Sequence, residues 1–300
     1  MDDFDEPVED DGHVLAHVTA AGINHLDLLK ASGRFYTGPP PVPSVVGSDG
    51  VARLEDGRRV FFDRTEAPYG SMAERTLVSS DALLDVPDGV EDEVAAALGN
   101  SGLGAWLALG WMADLQPGET VLVLGATGAL GSVAVQVARA LGAGRVVAAA
   151  RGSERLDRLR IRGADVVVEL DGEHDLPAAL KDATRGGADV IVDPLWGKPS
   201  LAAMQAAAHG ARHVQIGQMA GATLELPATV VRSSALQLLG FAVFHAPLEV
   251  RRAAYTRVTE SAGRGEIEID VERVPLDDID QAWQRQQDGP EAKLVIVPDG

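Results

Sequence analysis

The 300-residue chain carries 45 acidic and 26 basic side chains, a formal net charge of −19 and a pI of about 4.7. That balance repels phosphate backbones and anionic lipid, so neither nucleic acid nor a membrane surface is an expected partner. The chain has no cysteine, which excludes disulfides, thiolate catalysis and every Cys-based zinc site.

The start, "MDDFDEPVEDDG", holds seven acidic residues between positions 2 and 11 and shows no signal-peptide pattern. A solvated flexible tail is expected there, on a cytoplasmic protein. Residues 13–90 are rich in turns ("TGPPPVPSVVGSDG") and short β-like pieces. Residues 94–113 run twenty positions without a charge, long enough by count for a membrane span. Gly99, Asn100, Ser101, Gly102 and Gly104 interrupt them, which predicts two short buried helices around a glycine turn.

From residue 120 onward apolar runs recur: 121–124, 146–150, 166–168, 190–192, 214–216 and 236–239. Helical or loop stretches separate them. Short apolar strands alternating with helices predict a parallel sheet covered on both faces, and six such strands suit a doubly wound dinucleotide fold. After the first strand, Leu130, Val133, Val137 and Leu141 fall on one helical face, and Gly142 and Gly144 end the helix. Beyond the sixth run come a helix over residues 247–262, the alternating "EIEIDVERV", a helix over 276–287 and a closing strand "KLVIVP". The parallel-sheet region is therefore expected as an insertion between two parts of a mostly β domain.

Between the first strand and its helix lie Gly125, Gly128 and Gly131. Against the fingerprint G-x-G-x-x-G the match is Ala126-x-Gly128-x-x-Gly131, with alanine at the first position. Gly128 lets a backbone approach a pyrophosphate, and Gly131 lets helix and strand pack closely. The pyrophosphate is expected at the positive end of the helix. An NAD site places an acid about 20 residues further on, for the ribose 2′-hydroxyl. Arg151 stands there, followed by Ser153 and Arg155, and no acid occurs between Arg145 and Ser153. Guanidinium binds a 2′-phosphate that a carboxylate repels, so NADPH is the expected cofactor. The competing reading is that these arginines only begin a solvated helix.

The segments "VTAAGINHLDLLKASGRF", "PSVVGSDG", "YGSMAERTLV", "AAALGNSGLGAWLAL", "GETVLVLGATGALGSVAVQVARALGA" and "GADVIVDPLWG" occur in that order. Together they resemble the zinc-free quinone oxidoreductase branch of the medium-chain dehydrogenase/reductase superfamily, over nearly the whole chain from His13. The resemblance implies an α/β protein: a GroES-like β domain from residues 1–96 and 240–300 around a six-stranded, doubly wound Rossmann domain of residues 97–239. It implies a homodimer formed through an edge strand, here residues 234–241, whose apolar run lacks Pro and charge.

It also implies roles. Asn24 matches the "GIN" asparagine near the nicotinamide and substrate, a candidate catalytic residue. Thr127, Gly128, Ala129 and Leu130 match the pyrophosphate loop. Arg151, Ser153 and Arg155 match positions that contact the adenosine phosphate. Asp193, Pro194, Ile216, Gly217 and Gln218 match strand ends along the cofactor. Relatives place a tyrosine where this chain has Phe35, or Tyr36 if the register slips by one, which makes Tyr36 the candidate acid and Phe35 a pocket residue. Phe241 and Phe244 match residues that line the substrate cleft, with core packing as the alternative. His25, beside Asn24, is a pocket candidate against a structural role, and Asp27 is expected to hold the local turn.

No metal is expected. His209 and His213 are separated by Gly210, and His213 opens a strand; both read as solvated rather than as ligands, and the four tryptophans read as core. The function these readings imply is metal-free, NADPH-dependent hydride transfer to a quinone or an α,β-unsaturated carbonyl. Reduction of a 2-enoyl thioester or biosynthetic intermediate, or non-catalytic NADPH binding, are the alternatives.

Overall fold

The computed structural model describes residues 4–172 and 175–298. The chain divides into two compact units, Met1–Leu103 with Leu248–Gly300, and Gly104–Pro247.

The first unit begins with β1 (His13–Gly22), α1 (His25–Ala31), β2 (Gly50–Arg53), β3 (Arg59–Phe62), β4 (Arg75–Ser79) and β5 (Leu84–Asp85). Next comes α2 (Asp92–Trp106), whose end runs into a π-helical segment, Leu107–Met112, of the second unit. No turn splits residues 94–113, and the expectation of two short helices is corrected. The glycines serve packing instead. A Cβ at Gly99 would stand 1.9 Å from the Phe61 ring, and one at Gly102 would meet Leu98 and Val258. Small residues let this helix lie close on its neighbours. Among the described residues no helix is long and apolar enough to cross a membrane.

The second unit contains β6 (Thr120–Leu124), α3 (Ala129–Ala140), β7 (Arg145–Ala150), α4 (Ser153–Ile161), β8 (Val166–Glu169), α5 (Leu176–Ala183), β9 (Ala188–Asp193), α6 (Gly197–Gln205), β10 (Ala207–Gln215), α7 (Ala228–Ser234) and β11 (Gln237–Gly240). All strand pairings here are parallel, in the order β11-β10-β9-β6-β7-β8. The expected six-stranded Rossmann sheet is present. The order reverses between β6 and β9, and in such sheets a ligand crevice forms at that reversal, beyond the strands' C-terminal ends. Leu122, Leu124, Val147, Ala149 and Ile191 lie in one buried cluster with Ala203 and Met204 of α6. Residues 131–138 of α3 are all buried, so this helix hides more than the single face its periodicity suggests.

The chain returns to the first unit with α8 (Leu248–Gly263), β12 (Val271–Pro275), α9 (Ile279–Asp288) and β13 (Lys293–Val297). β13 pairs with β1 antiparallel and with β12 parallel. The resulting GroES-like sheet has seven strands, with Ala16, Val18, Val60, Phe62, Leu294 and Ile296 in its core. The acidic start is more than a solvated tail. Phe4 meets Tyr69 edge-on at 5.9 Å, Glu6 pairs with Arg75 at 2.9 Å, and Glu9 accepts the Leu15 amide at 2.7 Å.

Candidate functional site

In the Rossmann unit the glycine loop follows β6. The left-handed residue that turns it is Gly125, at φ +59°, one position before the fingerprint's alanine. A Cβ at Gly131 would stand 2.3 Å from the Gly125 carbonyl oxygen and 2.6 Å from the Ala126 Cα. Those are backbone atoms, so only glycine allows this helix so near the loop. Gly128 is different. It is exposed, and the nearest atom to a Cβ there would be the Gly125 oxygen at 3.4 Å. Gly128 caps α3 in extended conformation, and the first-turn N–H groups behind it have no partner within the helix. An open glycine at the positive end of a helix fits a pyrophosphate. Thr127, Ala129 and Leu130 flank it, each half-buried.

Arg151 lies just past β7 and is exposed. Gly152 has φ +80°, and Ser153 opens α4, with its side chain outside the described residues. Arg155 Nη2 donates to the Thr127 carbonyl at 3.0 Å. That bond braces the glycine loop with a guanidinium, a contact the sequence does not disclose.

At the end of β9, Asp193 is fully buried. Its Oδ1 accepts the amides of Leu195 and Trp196 at 2.8 and 2.9 Å; its Oδ2 accepts Ser200 Oγ and His213 Nε2, the latter at 2.8 Å. Burial pushes this carboxyl upward, but the bonds from His213, Ser200 and the loop amides outweigh it and hold it below the usual carboxylate range. With four donors the carboxylate is saturated, so Asp193 offers a ligand the shape of its loop rather than its charge. The amide bonds hold Trp196 at φ +58°, which a non-glycine residue adopts only under constraint. The Asp193 carbonyl accepts the amides of Ile216 and Gly217 at 2.8 and 3.3 Å. Gln218 is exposed beside them. His213 corrects the sequence reading by being buried; His209 is exposed as expected, but it too lies in β10 rather than in a loop.

Phe241 is buried near Trp111, with ring centroids 6.4 Å apart, whereas Phe244 is 51% exposed. Trp111 is itself exposed, against the expectation that all four tryptophans are core.

In the GroES-like unit a second polar centre forms where β1 meets α1. Asn24 is buried at the helix N-cap, and Asp27 Oδ2 accepts its amide at 2.8 Å, holding the turn. Asn24 Nδ2 donates to Asp49 Oδ1 at 2.8 Å and to the Gly22 carbonyl at 3.3 Å. Its Oδ1 accepts Lys293 Nζ at 2.5 Å, and the same ammonium donates to the Ile23 carbonyl at 2.6 Å. Ser48 Oγ donates to Asp27 Oδ1 at 2.7 Å and accepts Lys30 Nζ at 2.9 Å. Two buried carboxylates thus share a small volume with a buried ammonium. Burial, then the neighbouring Asp27 charge, pushes the Asp49 carboxyl up to about 7. Burial likewise raises Asp27 against its hydrogen bonds, and lowers Lys293 against the attraction of Asp49 and Asp27.

His25 is half-buried beside this network. Burial, reinforced by the Lys293 charge, lowers its pKa and favours the neutral ring. The Phe35 and Tyr36 rings lie against each other at 3.9 Å between centroids, tilted by 36°, and Lys30 Nζ lies 6.0 Å from the Phe35 ring. Tyr36 is 73% exposed. Asp49, Lys293, Ser48, Ser200 and His213 escaped the sequence reading. One signal was available: Lys293 is one of only four lysines and opens an otherwise apolar strand. Among the described residues no group of three or more His, Asp or Glu could hold a metal ion.

Residues 129–259 match the family model described as zinc-binding dehydrogenase. The chain is similar to the quinone oxidoreductase of Thermus thermophilus, whose structure was solved alone and with NADPH: 34% identity, a TM-score of 0.84, and coverage of 98% of this chain and 94% of that one. It is 32% identical to the quinone oxidoreductase-like protein 2 homolog of Nematostella vectensis, over 71% of this chain and 60% of that protein. It is also 33% identical to the mycocerosic acid synthase-like polyketide synthase of Mycobacterium tuberculosis, over 72% of this chain. The match spans 10% of that synthase.

Proposed function

The chain belongs to the medium-chain dehydrogenase/reductase superfamily, in its zinc-free quinone oxidoreductase-like branch, and from that premise we propose that it transfers hydride from NADPH to a quinone or an α,β-unsaturated carbonyl without a metal. The observation that carries the reading is the open Gly128 cradle at the sheet's reversal point, with exposed Arg151 beyond the next strand and with a 34% identical relative solved in complex with NADPH.

Bound NADPH supplies the hydride; the protein supplies position and charge. The amides of Ala129 and Leu130 receive the pyrophosphate beside Thr127 and Gly128. Arg151 binds the 2′-phosphate, with Ser153 at the helix start, while Arg155 holds the loop from beneath. Asp193 fixes the loop that runs through Pro194, and Ile216, Gly217 and Gln218 line the neighbouring strand end.

In the GroES-like unit Asn24 already uses both amide hydrogens, on Asp49 and Gly22. In this arrangement it orients its surroundings and has no hydrogen left to donate to a developing oxyanion. His25, kept neutral, presents a pocket residue that does not carry an extra proton at neutral pH. Tyr36 is the candidate side-chain acid for the product oxygen, and water is the alternative. In the GroES-like unit Phe35 is the candidate aromatic surface for a planar acceptor; in the Rossmann unit Phe241 belongs to packing, whereas Phe244 is 51% exposed.

A second reading, reduction of a 2-enoyl thioester, draws on the 33% identity to the polyketide synthase. Assembly as a homodimer is part of the proposal: β11 is an edge of its sheet, and its Leu238 is 45% exposed.

The test is steady-state NADPH oxidation with small quinones, enones and 2-enoyl thioesters. Turnover of quinones or enones supports the first reading, and turnover of thioesters alone selects the second. Tight NADPH binding with no turnover of any acceptor overturns both in favour of a binding protein.

A further inference from the structure

Lys293 has an unusual position for a lysine. It is the first residue of β13 and is buried, yet a lysine head normally reaches water along its stem. Its ammonium is held by two acceptors, the Ile23 carbonyl and Asn24 Oδ1, from the two residues that precede His25. A Cβ on Gly22 would stand 3.3 Å from Lys293 Cε and 3.5 Å from Asp49 Oδ1. Glycine at position 22 thus leaves room for the cation and the carboxylate together. Burying a charge is costly unless it is paired and hydrogen-bonded. Two hydrophobic strands and a helix start converge on an ammonium that an apolar residue would fill more cheaply, which points to a task beyond packing.

We propose that Lys293 is the positioning residue of this unit: its ammonium anchors the oxygen end of the Asn24 carboxamide, whose nitrogen bonds Asp49 and Gly22, and places a fixed positive charge beside His25. The proposal rests on the hydride-transfer reading only for its consequence in turnover. An asparagine amide has two nearly equivalent ends. With Lys293 donating, the oxygen is committed to the ammonium, and the nitrogen is committed to Asp49 and Gly22. Without that donor, the Asp49 carboxylate and the Gly22 carbonyl still select the nitrogen end, but the oxygen end loses the ammonium that fixes it. The charge acts on the next residue along the chain, His25, which stays neutral. The charged and titratable groups around this point are Asp27 and Lys30 on α1, Asp49 at the entry to β2, Asp63 after β3 and Lys293 on β13. Tyr255 on α8 feels Asp49 as well.

The experiment follows the His25 ring by NMR titration in wild type, Lys293→Gln, Lys293→Met and Lys293→Arg, with His25→Gln identifying its signal among the seven histidines. Lys293→Gln keeps a donor for Ile23 and Asn24 but removes the charge, so it tests the proposal even if the methionine variant fails to fold. The expected result is a rise of about half a pH unit or more in the His25 midpoint for Lys293→Gln and Lys293→Met, with Lys293→Arg near wild type. In folded Lys293→Met, kcat for a quinone falls about tenfold or more while KM for NADPH stays within about threefold. A folded Lys293→Gln whose His25 titrates at the wild-type midpoint overturns the proposal. If no acceptor is turned over by wild type, the functional reading fails, while the His25 midpoint still decides the role of Lys293.

Discussion

Arg151 of the Rossmann unit and Lys293 of the GroES-like unit are both cations near a strand end, in opposite surroundings. Arg151 stands in water just past β7, whereas Lys293 is buried with two acceptors at the start of β13. An exposed guanidinium has its donors available to whatever anion arrives, at little cost to the fold. A buried ammonium has its partners chosen in advance, so it shapes those partners instead of capturing a ligand. Two of the three glycines of the loop divide in the same way: Gly131 is closed against backbone, and Gly128 is open.

Gly131→Val carries the largest expected effect. Its Cβ would stand 2.3 Å from the Gly125 oxygen, and neither the loop nor the helix can give way without losing contacts. Overpacking of this kind costs about 3 kcal/mol or more. Urea unfolding should show that loss, together with weakened NADPH binding. Gly128→Ala sharpens the contrast: stability should stay within about 0.5 kcal/mol, while NADPH affinity falls about tenfold as the methyl takes the approach path of the pyrophosphate. If both variants lose stability equally, Gly128 is a packing residue and the open cradle is not a site.

The polar centre of the GroES-like unit gives a smaller effect, read through pH. Asp49 titrates near 7 in the folded protein and close to 3.9 when unfolded. A raised folded pKa gives stability that is complete below the unfolded value and is lost as pH rises through the folded one. Between pH 6 and 8 wild type should therefore lose about 1 kcal/mol from this group, and Asp49→Asn should not show that loss. Equal slopes for the two proteins in denaturant titrations at pH 6, 7 and 8 would place the Asp49 proton elsewhere.

Much of the Rossmann unit was readable because its signals are local. Five of the six apolar runs from 121–124 to 236–239 mark a strand within two residues of its observed bounds, and the sixth departs for a physical reason. β10 begins at Ala207 rather than near residue 214 because "HGARH" breaks the apolar run, and the register shifts there between Ala207 and Arg212. The glycines of α2 misled because a glycine in a sequence looks like a break. In the structure it is the clearance for Phe61. The buried network was not readable at all. Lys293 and Asn24 lie 269 positions apart, and no spacing rule links a strand's first residue to a distant helix cap. His213 failed for a related reason: its partner Asp193 sits on the neighbouring strand, so an imidazole that looked solvated at a strand's start is part of a sheet core.

The central claim, that the Rossmann unit is built for a 2′-phosphorylated cofactor, is tested most directly by titrating NADPH and NADH against wild type and Arg151→Ala at fixed ionic strength. Charge-assisted bonds contribute about 1.5–3 kcal/mol each, and exposure and salt reduce that. Wild type should prefer NADPH, and Arg151→Ala should lose roughly one to two decades of NADPH affinity with NADH nearly unchanged. On a chain of net charge −19, the more anionic cofactor has no other reason to bind more tightly. Equal affinity of wild type for NADH and NADPH, with Arg151→Ala indistinguishable from it, would contradict the claim and leave Arg151 as an exposed side chain before a helix, with Arg155 only bracing the glycine loop.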